Sequence, residues 1–172
     1  NSFATDIIET VGRLVYDRIL RKAEEDPKKN ASRALPNDFK ASRDVRLQAK
    51  NTCKNWFFKI ATIREVVPRM YMELALFKCY RFLQDEPPTA QLERLMKMTR
   101  GIADPMAAAY MRMYVAKCAI AYGCETPDSK YTLRILQEFM PTYVGVLDET
   151  RDIDDDPAMA YVFRFGLRRE EY

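Results

Sequence analysis

The side chains in this sequence that could support covalent or metal chemistry are four cysteines and a run of aspartates, because its 172 residues include no histidine. Without an imidazole, catalytic triads, cysteine–histidine pairs and histidine-ligated metal sites are excluded. The cysteines have no C-x-x-C spacing. The two near a predicted helix end, Cys118 and Cys124, have mainly acidic and apolar neighbours in sequence and no histidine, so a thiolate there lacks a clear source of activation. We therefore predict buried structural cysteines, no catalytic residue and no cofactor. The cysteines are Cys53, Cys79, Cys118 and Cys124.

The aspartates at position 152 and positions 154–156 are the candidates for binding a divalent cation. A calcium-binding EF-hand loop needs alternating acidic ligands, a central glycine and a closing glutamate. Glu170 is too far along the chain to close such a loop. The run is therefore predicted to be a solvated acidic turn, and no metal site is expected.

Basic and aromatic residues are interleaved over residues 54–59, a pattern that could stack on nucleic acid. However, Trp56, Phe57 and Ile60 fall on one face of a predicted helix, as core residues do. The formal net charge of +3 is also too small to indicate a polyanionic partner. Trp56 is therefore interpreted as a structural residue, and no nucleic-acid partner is predicted.

Methionines recur at helical spacing in the middle of the chain, where they could form an adaptable binding surface. Such spacing is more typical of a core, which is the interpretation we favour. The residues are Met96, Met98, Met106, Met111 and Met113.

Arg69 differs from these candidates because it lies in the first turn of an otherwise apolar predicted helix that starts near Pro68. A cation at that end opposes the helix dipole, and a charge in a core is costly unless it is paired. Arg69 can either pair internally, with Glu65 or Glu73, or face a partner. The residues alone leave both possibilities open.

The elements that must position these residues are helices. Residues 1–23 are predicted to hold the first helix, whose inward positions include Ile7, Leu14, Val15 and Ile19. Residues 24–41 are predicted to be an exposed loop, residues 42–140 a helical-repeat core, and residues 141–172 an acidic turn with a short terminal helix. Helix starts recur about every 40 residues, near Ser42, Thr89 and Thr126, as in paired-helix repeats.

Local signals divide the predicted core into helices over residues 42–66, 69–83, 89–102, 105–122 and 126–140. Gly101 suits a helix end, whereas Asp104 is a capping residue followed by Pro105 at the first helical position. Gly123 ends the next helix, and Pro141 is predicted to stop the last one. We assign structural roles to Gly101, Asp104 and Pro105.

Composition predicts a soluble, helical, cytosolic protein, since 48% of residues are hydrophobic, 31% are charged and only five are glycine. No apolar run reaches membrane-spanning length, and Asp6 and Glu9 interrupt the N-terminal apolar residues of any signal peptide. The fold class is all-α. Periodicity alone leaves a HEAT-like α-solenoid of antiparallel helix pairs and a globular helical bundle both open.

Three landmarks occur in the same order in a known family. Residues 8–16 read IETVGRLVY, residues 52–65 read TCKNWFFKIATIRE and lead into VPRMY at 67–71, and residues 100–105 read RGIADP. Over about residues 7–122, the chain resembles the large-subunit family of the retromer and retriever sorting complexes, with the NWFFKI run nearer the retriever type. The resemblance implies a HEAT-like α-solenoid without enzymatic activity.

The resemblance also implies partners. In that family the Pro-Arg-x-Tyr segment docks an arrestin-fold small subunit, and it corresponds here to Pro68, Arg69, Met70 and Tyr71. Other sorting-complex subunits, including a phosphodiesterase-fold one, would bind parts of the family outside this sequence. The implied location is cytoplasmic and peripheral on endosomes, with indirect membrane association. The alternatives are a HEAT-type transport receptor, a nucleic-acid-binding helical module, or a helical enzyme that uses carboxylates and lysine.

Overall fold

A computed structural model of the protein describes residues 3–26, 31–128 and 130–149. Within these ranges the helices are α1 (Phe3–Glu24), α2 (Ala41–Asp44), α3 (Leu47–Ala61), α4 (Val66–Ala75), α5 (Thr89–Met98), α6 (Pro105–Ala121) and α7 (Tyr131–Glu149). Two 3₁₀ helices, Phe77–Phe82 and Thr99–Gly101, extend α4 and α5. The β structure in these ranges is one antiparallel pair, β1 (Glu25–Asp26) and β2 (Ala31–Ser32), with Glu25 opposite Ser32.

The predicted all-α fold is confirmed. Helix α1 packs against α3 and α4, and α6 packs against α4 and α5, so neighbouring helices cover each other's apolar faces. This order of packing is consistent with an α-helical solenoid. The chain divides into two compact units, Asn1–Tyr131 and Thr132–Tyr172.

A continuous buried cluster in the first unit connects α1, α3 and the first 3₁₀ helix with the segment before α2. It comprises Val15, Ile19, Ala23, Phe39, Ala41, Val45, Ala49, Cys53, Ile60, Leu76, Cys79 and Phe82. The inward positions predicted for α1 are therefore right at Val15 and Ile19, but wrong at Ile7 and Leu14, whose side chains are largely exposed. Leu14 is 61% exposed because it lies on the face of α1 away from this cluster.

The prediction of an exposed loop over residues 24–41 is wrong at Phe39 and Ala41, which are buried. The ring of Phe39 stacks on that of Phe82 with a centroid distance of 5.2 Å. The Arg81 guanidinium also lies over the Phe39 ring, 4.2 Å from its centroid. Burying an aromatic ring stabilises the fold enough to hold a short polar segment against the helices.

The single helix predicted over residues 42–66 is instead two helices, α2 and α3. Val45 and Arg46 separate them in extended conformation, with ψ of 122° and 152°. The Asp44 carboxylate accepts a hydrogen bond from the Lys40 backbone N–H at 2.9 Å, which stabilises a short local turn in competition with a longer helix.

The boundaries predicted for the last helix are also wrong. Helix α7 begins at Tyr131 because Lys130 has a φ of +44°, in the left-handed region, and a right-handed helix cannot start before it. At the other end the helix continues through Pro141 to Glu149. Proline has a helix-compatible φ and removes one ladder hydrogen bond, so it need not end a helix. The predicted acidic turn and terminal helix beyond residue 149 lie outside the described residues.

Gly12 is a point of close approach between α1 and the end of α4. A Cβ atom placed on Gly12 would lie 2.9 Å from the Ala75 carbonyl carbon and closer still to its oxygen. Any side chain here would push the backbones of the two helices apart. The sequence patterns did not single out this contact, although Gly12 belongs to the first family landmark.

We expect Gly12→Ala to lower the free energy of unfolding by about 1–2 kcal/mol, since the added methyl group overpacks a backbone contact. The change is measured by urea denaturation followed by circular dichroism. Gly101→Ala is the matched control, because no atom lies within 4 Å of its added Cβ and its φ is not positive. An equal loss in both variants would contradict the close-approach explanation.

Candidate partner-binding site on helix α4

Helix α4 places the Pro-Arg-x-Tyr segment at its N-terminal end. Glu65 precedes the helix in extended conformation, and Pro68 is an exposed residue of the first turn. Backbone N–H groups in a first turn have no partner within the helix, so the missing N–H of proline costs nothing there. The predicted helix start near Pro68 is therefore observed.

Arg69 is half-buried in the first turn of α4. Its Nε atom is shielded from solvent and has no hydrogen-bond partner among the described residues. Over the same residues no carboxylate lies within the 4.0 Å of an ion pair, so pairing with Glu65 or Glu73 does not occur. A shielded donor without an acceptor costs roughly 1–3 kcal/mol. Arg69 is thus a cation that the described fold does not satisfy.

Glu73 does not pair with Arg69 because other groups hold its carboxylate. Arg94 of α5 forms an ion pair with Glu73 Oε1, and the Tyr80 hydroxyl donates to the same atom at 3.1 Å. Glu73 is only 4% exposed, so these contacts offset the cost of burying its charge. Burial and the neighbouring carboxylate raise the pKa of Tyr80, which keeps its hydroxyl protonated as the donor.

The sequence patterns did not single out Arg94 as a partner of Glu73. Its side chain is 42% exposed, and its guanidinium still reaches Glu73 across 21 residues of sequence. An i, i+4 rule can relate Arg69 to Glu73, but no local spacing rule relates α4 to α5. This pair therefore had no detectable sequence signal.

All four residues of the Pro-Arg-x-Tyr segment were predicted to bind the partner, but Met70 points into the core and Tyr71 packs against α6. Met70 is 0% exposed, so it cannot touch a partner while α4 stays packed, and that assignment is corrected to a core role. The Tyr71 ring lies 6.4 Å from Tyr110 and 6.0 Å from Tyr114 of α6. Successive helical residues point about 100° apart, so Arg69 and Tyr71 lie on opposite sides of α4.

The basic and aromatic segment over residues 54–59 lies on α3. Ile60 is buried, Trp56 and Phe57 are half-buried against the core, and Phe57 stacks on Tyr80 with centroids 4.3 Å apart. The ammonium of Lys59 lies 5.4 Å from the centre of the Trp56 ring. Trp56 thus has the surroundings expected of a structural residue.

The predicted burial of the cysteines is confirmed, and all four thiols are free. Desolvation raises the pKa of Cys53 and of Cys118 to about 12, and it also raises that of Cys79 and Cys124. Because the thiolate is the nucleophilic form, burial disfavours thiolate chemistry at these four positions.

The methionines do not form one stripe. Met96 and Met111 are fully buried, Met98 and Met106 are half-buried, and Met113 is mostly exposed. The core interpretation therefore holds at two of the five positions.

The local signals predicted before α6 are found in the structure. Asp104 caps the helix by accepting the Ala107 N–H at 2.7 Å, and Pro105 is the first helical residue. Gly101 is the last residue of the second 3₁₀ helix, at the predicted helix end, although neither a positive φ nor a close neighbour requires glycine there. The left-handed glycine is Gly123, with φ of +68°, where it follows α6 as predicted.

We expect Asp104→Ala to lower the free energy of unfolding by about 1 kcal/mol, because one N–H of the first turn of α6 loses its acceptor. Asp104→Asn is the control, since the asparagine oxygen accepts the same hydrogen bond. Thermal unfolding of both variants, read by circular dichroism, checks the difference. Equal destabilisation by both would mean that the carboxylate acts by its charge.

The described residues include no group of three or more cysteine, aspartate or glutamate side chains placed to hold a metal ion. In that part of the chain, no helix has both the length and the apolar character needed to cross a membrane.

Comparisons with known proteins agree with the landmarks. The family model described as VPS35L matches residues 2–158. The "VPS35 endosomal protein-sorting factor-like" protein of Danio rerio is 48% identical over 125 residues, covering 73% of this chain and 12% of that protein. The human protein of that name is 37% identical over 147 residues, which cover 85% of this chain and 14% of the human protein. The Drosophila melanogaster protein is 43% identical over 118 residues, which cover 67% of this chain and 12% of the fly protein. The chain therefore spans about one eighth of these relatives' length.

Proposed function

The chain belongs to the VPS35L family, and from that premise we propose that it is a non-enzymatic scaffold segment in endosomal protein sorting. The names of the relatives, which describe endosomal sorting factors, support this class of function. Stacked helices with buried, unreactive thiols support a role in holding partners rather than in chemistry.

The partner of this segment is an arrestin-fold small subunit of the retriever or retromer type, which docks at the N-terminal end of α4. The observation that carries this assignment is the half-buried Arg69, whose Nε has no acceptor in the described fold. Desolvated arginines are among the residues that contribute most to protein interfaces. Pro68 lies exposed beside it, whereas Met70 and Tyr71 hold the helix in place.

The remaining members of the complex bind parts of the larger protein outside this segment. Its place is the cytoplasmic surface of endosomes, and its association with the membrane is indirect, through the assembled complex.

Arg69→Ala is expected to weaken binding of the purified arrestin-fold subunit by about 10- to 100-fold, because the partner loses its anchor. Isothermal titration calorimetry measures the change. Circular dichroism checks that helicity is unaltered.

Arg43→Ala is the matched control, because Arg43 is exposed and its described ion pair is with the adjacent Asp44. It should bind as the unsubstituted protein does. Undiminished binding by Arg69→Ala, or no binding by the unsubstituted protein, would contradict the assignment.

A further inference from the structure

One side of α3 carries four exposed residues that follow one another at alternating steps of four, three and four positions. They are Leu47, Asn51, Lys54 and Phe58. Such spacing aligns the side chains along a single face of a helix. The buried residues of α3, namely Ala49, Cys53 and Ile60, lie on the opposite face. The four exposed residues, which we call the outer stripe, therefore point away from the core.

The outer stripe has a large apolar side chain at each end. Leu47 is 71% exposed and Phe58 is 69% exposed, the two highest values among the large apolar side chains of the described residues. At 1.5 Å per residue the two lie about 16 Å apart along the helix axis. Single exposed apolar residues are ordinary, but two on one stripe can enter the same flat surface when the helix lies parallel to it.

The charge around the outer stripe is positive. Helix α3 contains Lys50, Lys54 and Lys59 and no acidic residue. Within the described structure none of these lysines lies within 4.0 Å of a carboxylate. Residues 40–65 hold seven Lys+Arg against two Asp+Glu, a net charge of +5, whereas the whole chain has only +3. The positive charge of the chain is thus concentrated on and next to α3.

Neighbouring groups do not cancel this charge. Of the two acidic residues in that range, Asp44 pairs with the adjacent Arg43, and Glu65 follows Arg64 beyond the end of α3. The groove between α1 and α3 adds cations and no carboxylate to the same side of the molecule, since its charged lining residues are Arg18, Lys22 and Lys59. An anionic surface therefore complements this region.

We propose that the outer stripe of α3 contacts an anionic lipid surface. Leu47 and Phe58 enter the boundary between the headgroups and the acyl chains, and Lys50 and Lys54 bind the lipid phosphates and carboxylates. This contact goes beyond the proposed function and does not depend on docking at α4. Because two apolar side chains and a few lysines bind a membrane only weakly and reversibly, the contact adds to the indirect association through the complex and does not replace it.

A lipid surface fits the outer stripe better than a protein or a nucleic acid does. The groove next to it is lined by other residues of α3, so Leu47 and Phe58 protrude from the helix instead of lining a cleft. A protein would need two pockets spaced about 16 Å apart to receive them, whereas lipids rearrange around protruding side chains. A nucleic acid would use the lysines but would gain little from burying Leu47.

Co-sedimentation of the chain with phosphatidylcholine vesicles, with and without phosphatidylserine, tests the proposal. Binding is expected only to the vesicles that contain phosphatidylserine, and it should weaken as salt is added. Phe58→Ala should weaken binding about fivefold, because it removes most of one buried apolar side chain. The combined Lys50→Gln and Lys54→Gln variant should lose about tenfold or more, since each lysine near an anionic surface contributes about fivefold.

Matched controls lie on α5 and α6. Ile120→Ala removes an apolar side chain that is 64% exposed on α6 and should not change vesicle binding. Lys97→Gln combined with Lys117→Gln removes two lysines that are 65% and 68% exposed, each close to a carboxylate, and should also bind normally. Circular dichroism verifies that every variant is folded.

Phe58→Trp separates a lipid surface from a fitted protein pocket. Tryptophan favours the interface of a membrane, so this variant should bind vesicles at least as tightly as the unsubstituted chain. A pocket shaped for phenylalanine would reject the larger indole ring. Weaker vesicle binding by Phe58→Trp would contradict the insertion of this side chain into lipid.

Several results would overturn the proposal. The first is an absence of binding to phosphatidylserine vesicles, or equal binding to phosphatidylcholine alone. Binding only to vesicles that contain a phosphoinositide would indicate a headgroup site instead of a charged surface. Binding to RNA that depends on the lysines but not on Phe58 would indicate a polyanion site. If Phe58→Ala weakens binding of the arrestin-fold subunit while vesicles are not bound, the outer stripe belongs to that partner. A failure with vesicles leaves docking at α4 intact, because calorimetry with Arg69→Ala tests that separately.

Discussion

Replacing Phe82 with alanine is expected to lower the free energy of unfolding by about 3–5 kcal/mol, one of the largest effects of any substitution in the chain. Phe82 is completely buried at the end of the first 3₁₀ helix. Its ring lies 5.0 Å from that of Tyr16 in α1 and 5.2 Å from that of Phe39 in the segment before α2. Alanine would therefore leave a cavity where three separate segments meet.

Urea denaturation followed by circular dichroism measures this loss. Phe82→Leu keeps most of the volume and should cost less than the alanine variant. Phe58→Ala is the matched control, because the Phe58 ring is 69% exposed on α3 and its removal should change stability by no more than about 0.5 kcal/mol. Similar losses in Phe82→Ala and Phe58→Ala would show that Phe82 does not organise this core.

Glu73→Ala is expected to lower the free energy of unfolding by about 3 kcal/mol. The substitution removes the acceptor of the Tyr80 hydroxyl and leaves the Arg94 guanidinium without its carboxylate. Removing one member of a buried ion pair costs roughly 3–5 kcal/mol, because the other charge is left uncompensated. We expect the lower end of that range, since the Arg94 side chain is 42% exposed and water can solvate part of it.

Glu73→Gln separates the two contributions. The amide oxygen still accepts from Tyr80, so this variant should lose only the ionic part and remain more stable than Glu73→Ala. Thermal unfolding of both variants at neutral pH measures the difference. Two variants of equal stability would show that the Tyr80 hydrogen bond contributes nothing, and unchanged stability in Glu73→Ala would contradict the role of the pair.

Features that depend on neighbouring residues were accessible from the sequence. Asp104 and Pro105 were predicted to start α6, and they do, because capping involves a backbone N–H only three residues away. Gly123 ends that helix because its left-handed φ is set by the residue itself. Burial of the cysteines followed from the absence of C-x-x-C spacing and of any histidine, which leaves them no metal-binding or catalytic pattern. The landmark order also identified the family without any structure.

Other features required the packing of distant segments. Phe39 is buried because α1 and the first 3₁₀ helix offer it a surface, which its polar neighbours in sequence do not reveal. Gly12 matters because Ala75, 63 residues later, approaches it.

The candidate site shows the same division. The sequence marked Arg69 as an unusual charge in an apolar helix and left open whether it was paired. Only the tertiary structure decided this, because α5 brings Arg94 to the carboxylate of Glu73 that Arg69 would otherwise use. Local spacing determines which side chains share a helix face, but competition for one buried carboxylate depends on which helices meet there.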